Sequence, residues 1–223
     1  MIRSVVIPAF NEEKSLGKLL KALTPLADFI VVVNDCSTDK TAQVIKEHKT
    51  AVLVENEINR GYSRSLETGI AKAVELNADV VLTIDADGQH PVEEIDKIFQ
   101  LMDRQKFDMV VASRSSLPRL SEIIVSKLTK LLWDIDDITS GMKCYKSSLV
   151  ESANIPKSFD STGTYIAFFA VTHSYSYETI PITTKQRLDE SRYGTGIKKE
   201  IQLLSSIGRC LLWLTMRKVR ALI

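Results

Sequence analysis

The sequence predicts an α/β fold in which a mostly parallel β-sheet is flanked by helices. Two observations carry this prediction. Apolar runs alternate with helical patterns through the first half of the chain. The runs are also uninterrupted, as at residues 29–33, which is typical of strands buried on both faces of a sheet. In such sheets ligands bind beyond the carboxyl ends of the strands, so we expect the functional residues in the loops that follow them.

The predicted elements follow in order along the chain. Strands are expected at residues 2–7, 29–33, 51–54, 79–84 and 108–112, and helices between them at 12–23, 39–47, 63–76 and 92–102. The first helix illustrates the pattern, because leucines recur at positions 16, 19, 20 and 23, on one helical face. The second half contains an amphipathic stretch at 119–133, an aromatic-rich segment at 159–177, a short strand at 177–182 and a mostly apolar stretch at 201–216.

Composition and charge narrow the class of protein. The chain has 223 residues, of which 44% are hydrophobic and 26% charged, enough for one α/β domain with a modest appendage. Its 29 Lys and Arg residues against 28 Asp and Glu residues leave a net charge of +1, so no overall field would attract nucleic acid. The three cysteines are widely spaced and predict neither a disulfide framework nor a zinc site. A short N-terminal apolar run and the lack of a spanning segment predict a cytoplasmic protein.

Polar side chains follow three of the predicted strands at the points where the strands end. They lie in residues 8–12, 34–39 and 85–91. Polar residues at such positions could simply cap the helices that follow. Capping does not explain two carboxylates two residues apart, which Asp85 and Asp87 provide directly after an apolar run. We therefore expect a functional site at this edge of the sheet.

Asp85 and Asp87 predict a site for a divalent cation. In extended backbone, side chains two residues apart lie on the same side of the chain. Unpaired, the two carboxylates would repel each other and one would take up a proton. Mg²⁺ or Mn²⁺ resolves this conflict, because such ions typically bind one or two carboxylates together with phosphate oxygens of a substrate. A nucleotide diphosphate is the natural ligand for the pair.

Seven short motifs occur together along the chain, at residues 6–12, 33–41, 59–62, 85–89, 112–114, 139–143 and 180–182. In this order and approximate spacing they resemble the family-2 glycosyltransferases of GT-A fold, especially the dolichyl-phosphate and polyprenyl-phosphate hexose synthases. The resemblance runs from Val5 to about Gly194. Singly the motifs are weak, and jointly they are specific. One departure is Asn34, where the family usually has an acid; the change removes a charge and keeps an oxygen acceptor.

The resemblance implies three groups of site residues. The nucleotide-sugar pocket would be lined by Pro8, Phe10, Glu12, Val33, Asp35, Asp85 and Ala86. The metal, Mg²⁺ or Mn²⁺, would be held by Asp85, Asp87 and Gln89. The catalytic group would consist of Asp87, Arg114, Arg187 and Arg192. Arginines suit this role because they bind phosphate oxygens through a planar fork.

The segment at 163–167 bears on the acceptor. Relatives commonly carry Glu or Gln about here, whereas this chain reads Gly-Thr-Tyr-Ile-Ala. A sugar hydroxyl needs a general base, because it is a poor nucleophile until its proton leaves. A phosphate is already anionic at neutral pH and needs no base. The missing carboxylate therefore predicts a phosphate acceptor, and Asp137 or Asp160 would be the base in the alternative, transfer to a sugar hydroxyl.

The function predicted from these residues is inverting transfer of a hexose from a GDP- or UDP-linked nucleotide sugar to a polyprenyl phosphate. One alternative is transfer to a sugar hydroxyl. Another is a nucleotide-sugar-binding module without turnover, against which the two metal aspartates argue. A nucleotidyltransferase would usually carry a Gly-rich and basic loop after the first strand, and residues 8–12 are not of that type.

The chain is expected to divide into a catalytic domain at 1–196 and an amphipathic helix at 197–223. Arg209 in the apolar stretch 201–216 would cost about 2.5–3.5 kcal/mol if that helix crossed a bilayer. We therefore expect the helix to lie in the membrane interface, and residues 119–133 invite the same interpretation. The alternative for both is packing against the sheet or a dimer partner. The enzyme would then be peripheral, on the cytoplasmic face of a membrane.

Overall fold

The computed structural model of the chain describes residues 1–104, 106–156, 161–185 and 197–220. Within these residues one sheet contains β1 (Arg3–Ala9), β2 (Phe29–Asn34), β3 (Ala51–Glu55), β4 (Val80–Thr83), β5 (Met109–Arg114), β6 (Lys143–Lys146) and β7 (Tyr177–Ile182). The strand order is β3-β2-β1-β4-β6-β5-β7. β6 runs antiparallel to its neighbours β4 and β5, and the other pairings are parallel. The predicted fold class, a mostly parallel sheet flanked by helices, is confirmed.

The helices of the described residues are α1 (Leu16–Leu23), α2 (Thr41–Lys46), α3 (Tyr62–Glu75), α4 (Ile95–Arg104), α5 (Leu120–Trp133), α6 (Ser147–Ala153), α7 (Thr162–Thr172) and α8 (Ile197–Arg220). A 3₁₀ turn at Val92–Glu94 precedes α4. The elements of the first half agree with the predicted ones to within a few residues. The largest difference is the start of α1, because the residues before Leu16 form a loop that is bonded to the loop after β2.

The sheet separates two hydrophobic cores. Along β2, Val31 and Val33 face one core and Val32 faces the other, as the alternation of side chains on a strand requires. Helices α3, α5, α6, α7 and α8 contribute to the first core, and α1, α2 and α4 to the second. A methyl group at Gly69 of α3 would lie 2.5 Å from Val6 Cγ1 and 2.9 Å from Val33 Cγ2. Glycine therefore lets α3 lie directly on β1 and β2.

Three elements, β6, α7 and the short α6, are not predicted from the sequence pattern. β6 reads Lys-Cys-Tyr-Lys, which is too short and too polar to indicate a strand. α7 is buried along nearly its whole length, so it has no polar face and no helical periodicity. β6 matters for the site because its pairing with β4 places Lys143 opposite Thr83, two residues before Asp85.

α5 turns polar side chains toward the protein and apolar ones outward. Its buried residues are Ser121, Glu122, Val125 and Thr129. The large apolar side chains that it exposes are Leu120, Ile123, Ile124, Leu128, Leu131 and Leu132. Leu131 is the most exposed of them, at 82%. This outward apolar face is named the α5 face below.

α8 packs one of its sides against α7. Ile207 and Cys210 lie in the core, and the Trp213 ring centre is 5.7 Å from that of Tyr165. The exposed large apolar side chains of α8 are Ile201, Leu204 and Leu212. Ordinary packing therefore accounts for one side of this helix. Across the described residues, no helix has both the length and the apolarity that crossing a bilayer requires.

Candidate active site

The candidate site lies at the edge of the sheet where β1, β2 and β4 end. These strands are parallel, with Ala9 opposite Asn34 and Val6 opposite Thr83. Their carboxyl ends therefore lie side by side, and the three polar loops predicted from the sequence meet at one edge. Pro8 is buried in β1 beyond the stretch that pairs with β4, so its missing N–H removes no bond to that strand.

The loops after β1 and β2 are joined to each other. The Asn11 N–H donates a hydrogen bond to Ser37 Oγ at 2.9 Å, and the Glu12 N–H donates to Thr41 Oγ1 at 2.8 Å. The Glu12 carboxylate accepts a bond from the Ser15 hydroxyl at 2.6 Å. Asn11 thus connects two loops and does not cap α1, whose N-cap position is Ser15. Half-buried Phe10 lies at the base of this pair of loops.

The Asp35 carboxylate holds the loop that leads into α3. It accepts hydrogen bonds from Asn56 Nδ2, the Arg60 N–H and the Gly61 N–H, each at 2.8 Å. Asp35 is only 3% exposed. These three donors satisfy most of the hydrogen-bonding capacity of the Asp35 carboxylate, so in this structure Asp35 positions the start of α3. A contact with a nucleotide base would have to be added to these bonds.

Asp85 is held by side chains from two directions. Tyr62 OH donates to Asp85 Oδ1 at 2.7 Å, and His90 Nε2 lies 3.2 Å from Asp85 Oδ2. Burial raises the pKa of the Asp85 carboxyl, but the hydrogen bond and charge of His90, together with the Tyr62 hydroxyl, lower it to about 2. Asp85 is therefore ionised at neutral pH.

Gly141, just before β6, lies against Asp85. A methyl group at Gly141 would lie 2.8 Å from the Asp85 carboxyl carbon. No other residue fits there unless Asp85 moves. The Thr83 hydroxyl donates to the Gly141 carbonyl at 2.8 Å and fixes this close approach.

Asp87 follows Asp85 in the same loop and is 7% exposed. Its Oδ1 accepts the Gln89 N–H at 3.0 Å. The Gln89 carbonyl accepts the Lys185 N–H at 2.8 Å, and its side-chain amide donates to the Lys185 carbonyl at 3.4 Å. The loop after β4 is thereby bonded to the segment after β7. Ala86, 4% exposed, packs into the core on the side of α1 and α4.

Arg114, at the end of β5, forms a bidentate ion pair with Asp137. Nε and Nη2 donate to the two Asp137 oxygens at 2.7 and 3.2 Å, and Nη2 lies 3.5 Å from Glu122 Oε1. Burial raises the pKa of Asp137, but the hydrogen bond and charge of Arg114 outweigh burial and lower it. Asp137 is thus a weak base, which disfavours it as the proton acceptor for a sugar hydroxyl. Arg114 Nη1 makes no hydrogen bond within the described residues and is available to a ligand.

Four further residues are predicted from the sequence, three as site residues and one as the alternative base. Asp160, Arg187 and Arg192 lie outside the described residues. Val33 is described, and its side chain is 0% exposed in the core beneath α3. That side chain faces the core and not the loops, and the prediction that Val33 lines the nucleotide pocket stays a prediction. The segment at 163–167 forms the buried first half of α7.

Four residues that shape the site have no role assigned from the sequence: Tyr62, His90, Gly141 and Lys143. Three of them fall in the motifs at 59–62 and 139–143, and the His90 ring contacts Asp85. The available signal was its place in the same loop as two carboxylates. Tyr62 begins α3, Gly141 precedes β6 and Lys143 begins β6. Their proximity to Asp85 is a tertiary contact that no spacing in the sequence encodes.

The residues present fit a divalent cation that is shared with a substrate. Among the described residues, no group of three or more His, Cys, Asp or Glu side chains forms a complete metal site. Mg²⁺ and Mn²⁺ do not require one, since they commonly use one or two carboxylates and take the remaining ligands from phosphate and water. Ionised Asp85 and nearby Asp87 supply such a pair.

Comparison with known proteins shows clear relatives. The family model for glycosyl transferase family 2 matches residues 4–124. The undecaprenyl-phosphate 4-deoxy-4-formamido-L-arabinose transferase of Edwardsiella ictaluri is 30% identical, over 98% of this chain and 70% of its own. The UDP-N-acetylglucosamine–dolichyl-phosphate N-acetylglucosaminyltransferase of Methanococcus voltae is 29% identical, over 66% of this chain and 70% of its own. An uncharacterized protein of Methanocaldococcus jannaschii is 39% identical over 49% of this chain, and the match spans 45% of that protein.

Solved structures share the architecture. A crystal structure of glucosyl-3-phosphoglycerate synthase from Mycobacterium tuberculosis with phosphoglyceric acid has a TM-score of 0.74 at 18% identity, covering 94% of this chain and 80% of that one. A complex of the same synthase with Mn²⁺, UDP-glucose and phosphoglyceric acid has a TM-score of 0.72 at 18% identity, covering 96% of this chain and 79% of that one. The predicted GT-A fold is confirmed by this similarity.

Proposed function

The chain belongs to glycosyl transferase family 2, and on that premise we propose that it moves a hexose from a nucleotide diphosphate sugar to a polyprenyl phosphate, with inversion at the sugar carbon. The observation that carries the proposal is the distribution of charge at the sheet edge. Two carboxylates suited to a divalent cation lie in the same region as a mostly buried arginine and a buried lysine, which suit phosphate groups. The donor and the acceptor of this reaction both carry phosphate.

On the donor side, Asp85 and Asp87 would hold Mg²⁺ or Mn²⁺, which when bound supplies positive charge to the diphosphate that leaves the sugar. Tyr62 and His90 orient the Asp85 carboxylate and keep it ionised. Arg114, held by its carboxylate partners, offers Nη1 to a phosphate oxygen. These groups favour departure of the diphosphate by placing charge where negative charge develops.

The remaining residues of the donor site stay predictions from the family resemblance. For the nucleotide they are Pro8, Phe10, Glu12, Val33, Asp35 and Ala86, and for the metal Gln89 in the loop after β4. For the phosphates they are Arg187 and Arg192. The relatives with known names include one whose name gives a UDP-linked donor, which makes UDP sugars the first donors to test.

On the acceptor side, a phosphate suits this site better than a hydroxyl. The acceptor oxygen of a phosphate is already anionic, so the protein has to position it and screen its charge. Of the two candidate bases for the alternative, Asp137 is committed to Arg114, and Asp160 lies outside the described residues. Two relatives are named for transfer to dolichyl phosphate and to undecaprenyl phosphate, which supports the same acceptor class.

The α5 face supports a location on a membrane surface. A lipid acceptor stays in the bilayer, so the protein has to reach it there. The α5 face exposes Leu128 at 43% and Leu131 at 82%, and Lys127 on the same helix is exposed, whereas Lys130 pairs with Asp134 and Asp136. An apolar surface with cations is the chemistry that binds an anionic membrane interface. We place it on the cytoplasmic face, where nucleotide sugars and reduced cysteines are expected.

Replacing Leu128 and Leu131 together by Gln is expected to weaken binding to vesicles of phosphatidylglycerol and phosphatidylcholine roughly tenfold, because each leucine contributes apolar area that enters the interface. Co-sedimentation with the vesicles measures this. The matched control is Ile2→Gln, which removes an exposed apolar side chain, at 41%, just before β1 and outside the α5 face. Equal binding by the double variant and the control would show that the α5 face contacts something other than lipid.

A transfer assay tests the proposed function as a whole. The protein is incubated with a panel of UDP and GDP sugars, with Mg²⁺ or Mn²⁺, and with or without a short polyprenyl phosphate, and the products are identified by mass spectrometry. We expect one donor to yield a polyprenyl phosphate hexose and free nucleoside diphosphate. Transfer of sugar to glycosides and not to the lipid phosphate would favour the hydroxyl-acceptor alternative.

A further inference from the structure

Lys143, the first residue of β6, is a buried ammonium with too few partners. The residue is 2% exposed. Its Nζ donates one hydrogen bond, to the Ser140 carbonyl. Within the described part of the chain, no carboxylate lies at ion-pair distance from it. Lysine is almost never fully buried without a directly paired anion, because unmet N–H donors and a charge with no carboxylate in contact destabilise the folded state.

The surroundings of Lys143 belong to the candidate active site. Burial lowers the pKa of the Lys143 ammonium to about 8; the charges of Asp137 and Asp85 oppose this, and that of Arg114 adds to it. The lysine therefore remains mostly protonated at neutral pH. Its strand places it opposite Thr83, two residues before Asp85. The ammonium thus lies in the same electrostatic field as the proposed metal and diphosphate ligands.

Gly163 packs beside this ammonium. A methyl group at Gly163 would lie 3.5 Å from Leu66 Cδ2, 3.6 Å from Tyr145 OH and 3.8 Å from Lys143 Nζ, all ordinary contact distances, so the position accepts a small side chain in contact with the ammonium. Gly163 lies in the first turn of α7, where the helix dipole adds positive charge. A carboxylate side chain at this position would pair with Lys143. With glycine there, the chain leaves the ammonium for an anion that is not part of the protein.

We propose that the Lys143 ammonium binds a phosphate oxygen of a substrate during transfer. The inference rests on the proposed function, in which two phosphate-bearing substrates meet at this site. The oxygen can belong to the donor diphosphate or to the acceptor phosphate, and the same chemistry recognises both. On binding, the ammonium gains the anionic partner that it lacks in the free protein, so the unfavourable burial of the charge is relieved in the complex.

Two variants test this, each with a matched control. Lys143→Met removes the charge and keeps the volume; Lys146→Met, on the same strand, removes a lysine that pairs with Asp108 at 2.8 Å. Gly163→Asp adds a carboxylate that competes for Lys143, and Gly163→Ala fills the same space without charge. The measurements are Kd for UDP and GDP in the presence of Mn²⁺, KM for a short prenyl phosphate, and Tm.

Lys143→Met is expected to raise Tm, because an unpaired buried charge is removed, and yet to weaken phosphate binding roughly ten- to hundredfold. Lys146→Met is expected to lower Tm and leave binding unchanged. Gly163→Asp should fold and bind as poorly as Lys143→Met, whereas Gly163→Ala should bind normally. A higher Kd for UDP and GDP would assign the donor diphosphate. A normal Kd with a higher KM for the prenyl phosphate would assign the acceptor.

Unchanged Kd and KM in both Lys143→Met and Gly163→Asp would overturn the inference. A lower Tm for Lys143→Met with normal binding would show that the lysine is purely structural and would overturn it as well. Failure of the proposed function looks different, because the wild-type protein itself would then bind neither nucleotide or transfer nothing to the prenyl phosphate.

Discussion

Asp87→Asn is expected to reduce sugar transfer by about 10³-fold or more while leaving the fold intact. Asp87 is 7% exposed in the loop after β4, and its Oδ1 accepts the Gln89 N–H. Asparagine retains an oxygen for that bond and loses the negative charge that a divalent cation requires. Charge neutralisation by such an ion is worth several kcal/mol in the transition state, and each 1.36 kcal/mol corresponds to a factor of ten in rate.

The control for this prediction is Asp103→Asn, which removes the same charge from an exposed position at the end of α4. Initial rates, far-UV circular dichroism and calorimetric binding of Mn²⁺ in the presence of UDP distinguish loss of metal from loss of fold. A wild-type rate in Asp87→Asn, or undiminished turnover in excess chelator, would show that the carboxylate pair has another role.

Arg114→Met is expected to lower the free energy of unfolding by about 3–5 kcal/mol and to abolish transfer. The variant leaves Asp137, 1% exposed, buried without the cation that pairs with it, whereas Glu122, 6% exposed, keeps Arg119 Nη1 at 3.8 Å. Breaking a buried ion pair by removing one partner is costly in this way, since an uncompensated charge remains in the interior. Chemical denaturation measures the change. Arg114→Met/Asp137→Asn removes both charges of the pair and should recover part of the stability without recovering transfer.

The pH dependence of the free energy of unfolding tests the pairing of Arg114 with Asp137 in an independent way. In the wild type the pKa of Asp137 is lowered on folding, so its contribution to stability is present above the ordinary value of 3.8 and is lost as the pH falls below it. In Arg114→Met, burial without the cation should raise that pKa above its unfolded value. The variant should then recover stability between about pH 7 and pH 5. A deficit that stays the same at both pH values would contradict the assigned pairing.

The first half of the fold could be predicted because its strands and helices follow from patterns of neighbouring residues in the sequence. Uninterrupted apolar runs such as residues 29–33 have no plausible place except a strand buried on both faces, and the spacing between these runs leaves room for one helix each. β6 could not be predicted from local patterns because two of its four residues are lysines. One of them, Lys143, is buried by other parts of the fold and not because of the strand's own sequence. α7 could not be predicted either, because a helix that is buried on all sides has no amphipathic periodicity in its sequence.

The site was predictable where it depends on strand ends and unpredictable where it depends on packing. Asp85 could be placed because parallel strands end at one edge. Its partners Tyr62 and Gly141 arrive from α3 and from the residues before β6, which only the tertiary structure brings together. The sequence was not informative about the orientation of the Val33 side chain. A strand with both faces buried gives no signal of which side chain faces which core, so its assignment to the nucleotide pocket could not be checked from the sequence.

A direct test of the account compares two acceptors that differ only in the phosphate. A short prenyl phosphate and the corresponding prenol are offered separately with the same nucleotide sugar and Mn²⁺, and the initial rates of product formation are measured. If the acceptor is an anion that needs no general base, the phosphate yields a glycosylated lipid and the prenol yields none. Glycosylation of the prenol at a comparable rate, or of a sugar hydroxyl in preference to the prenyl phosphate, would contradict the account.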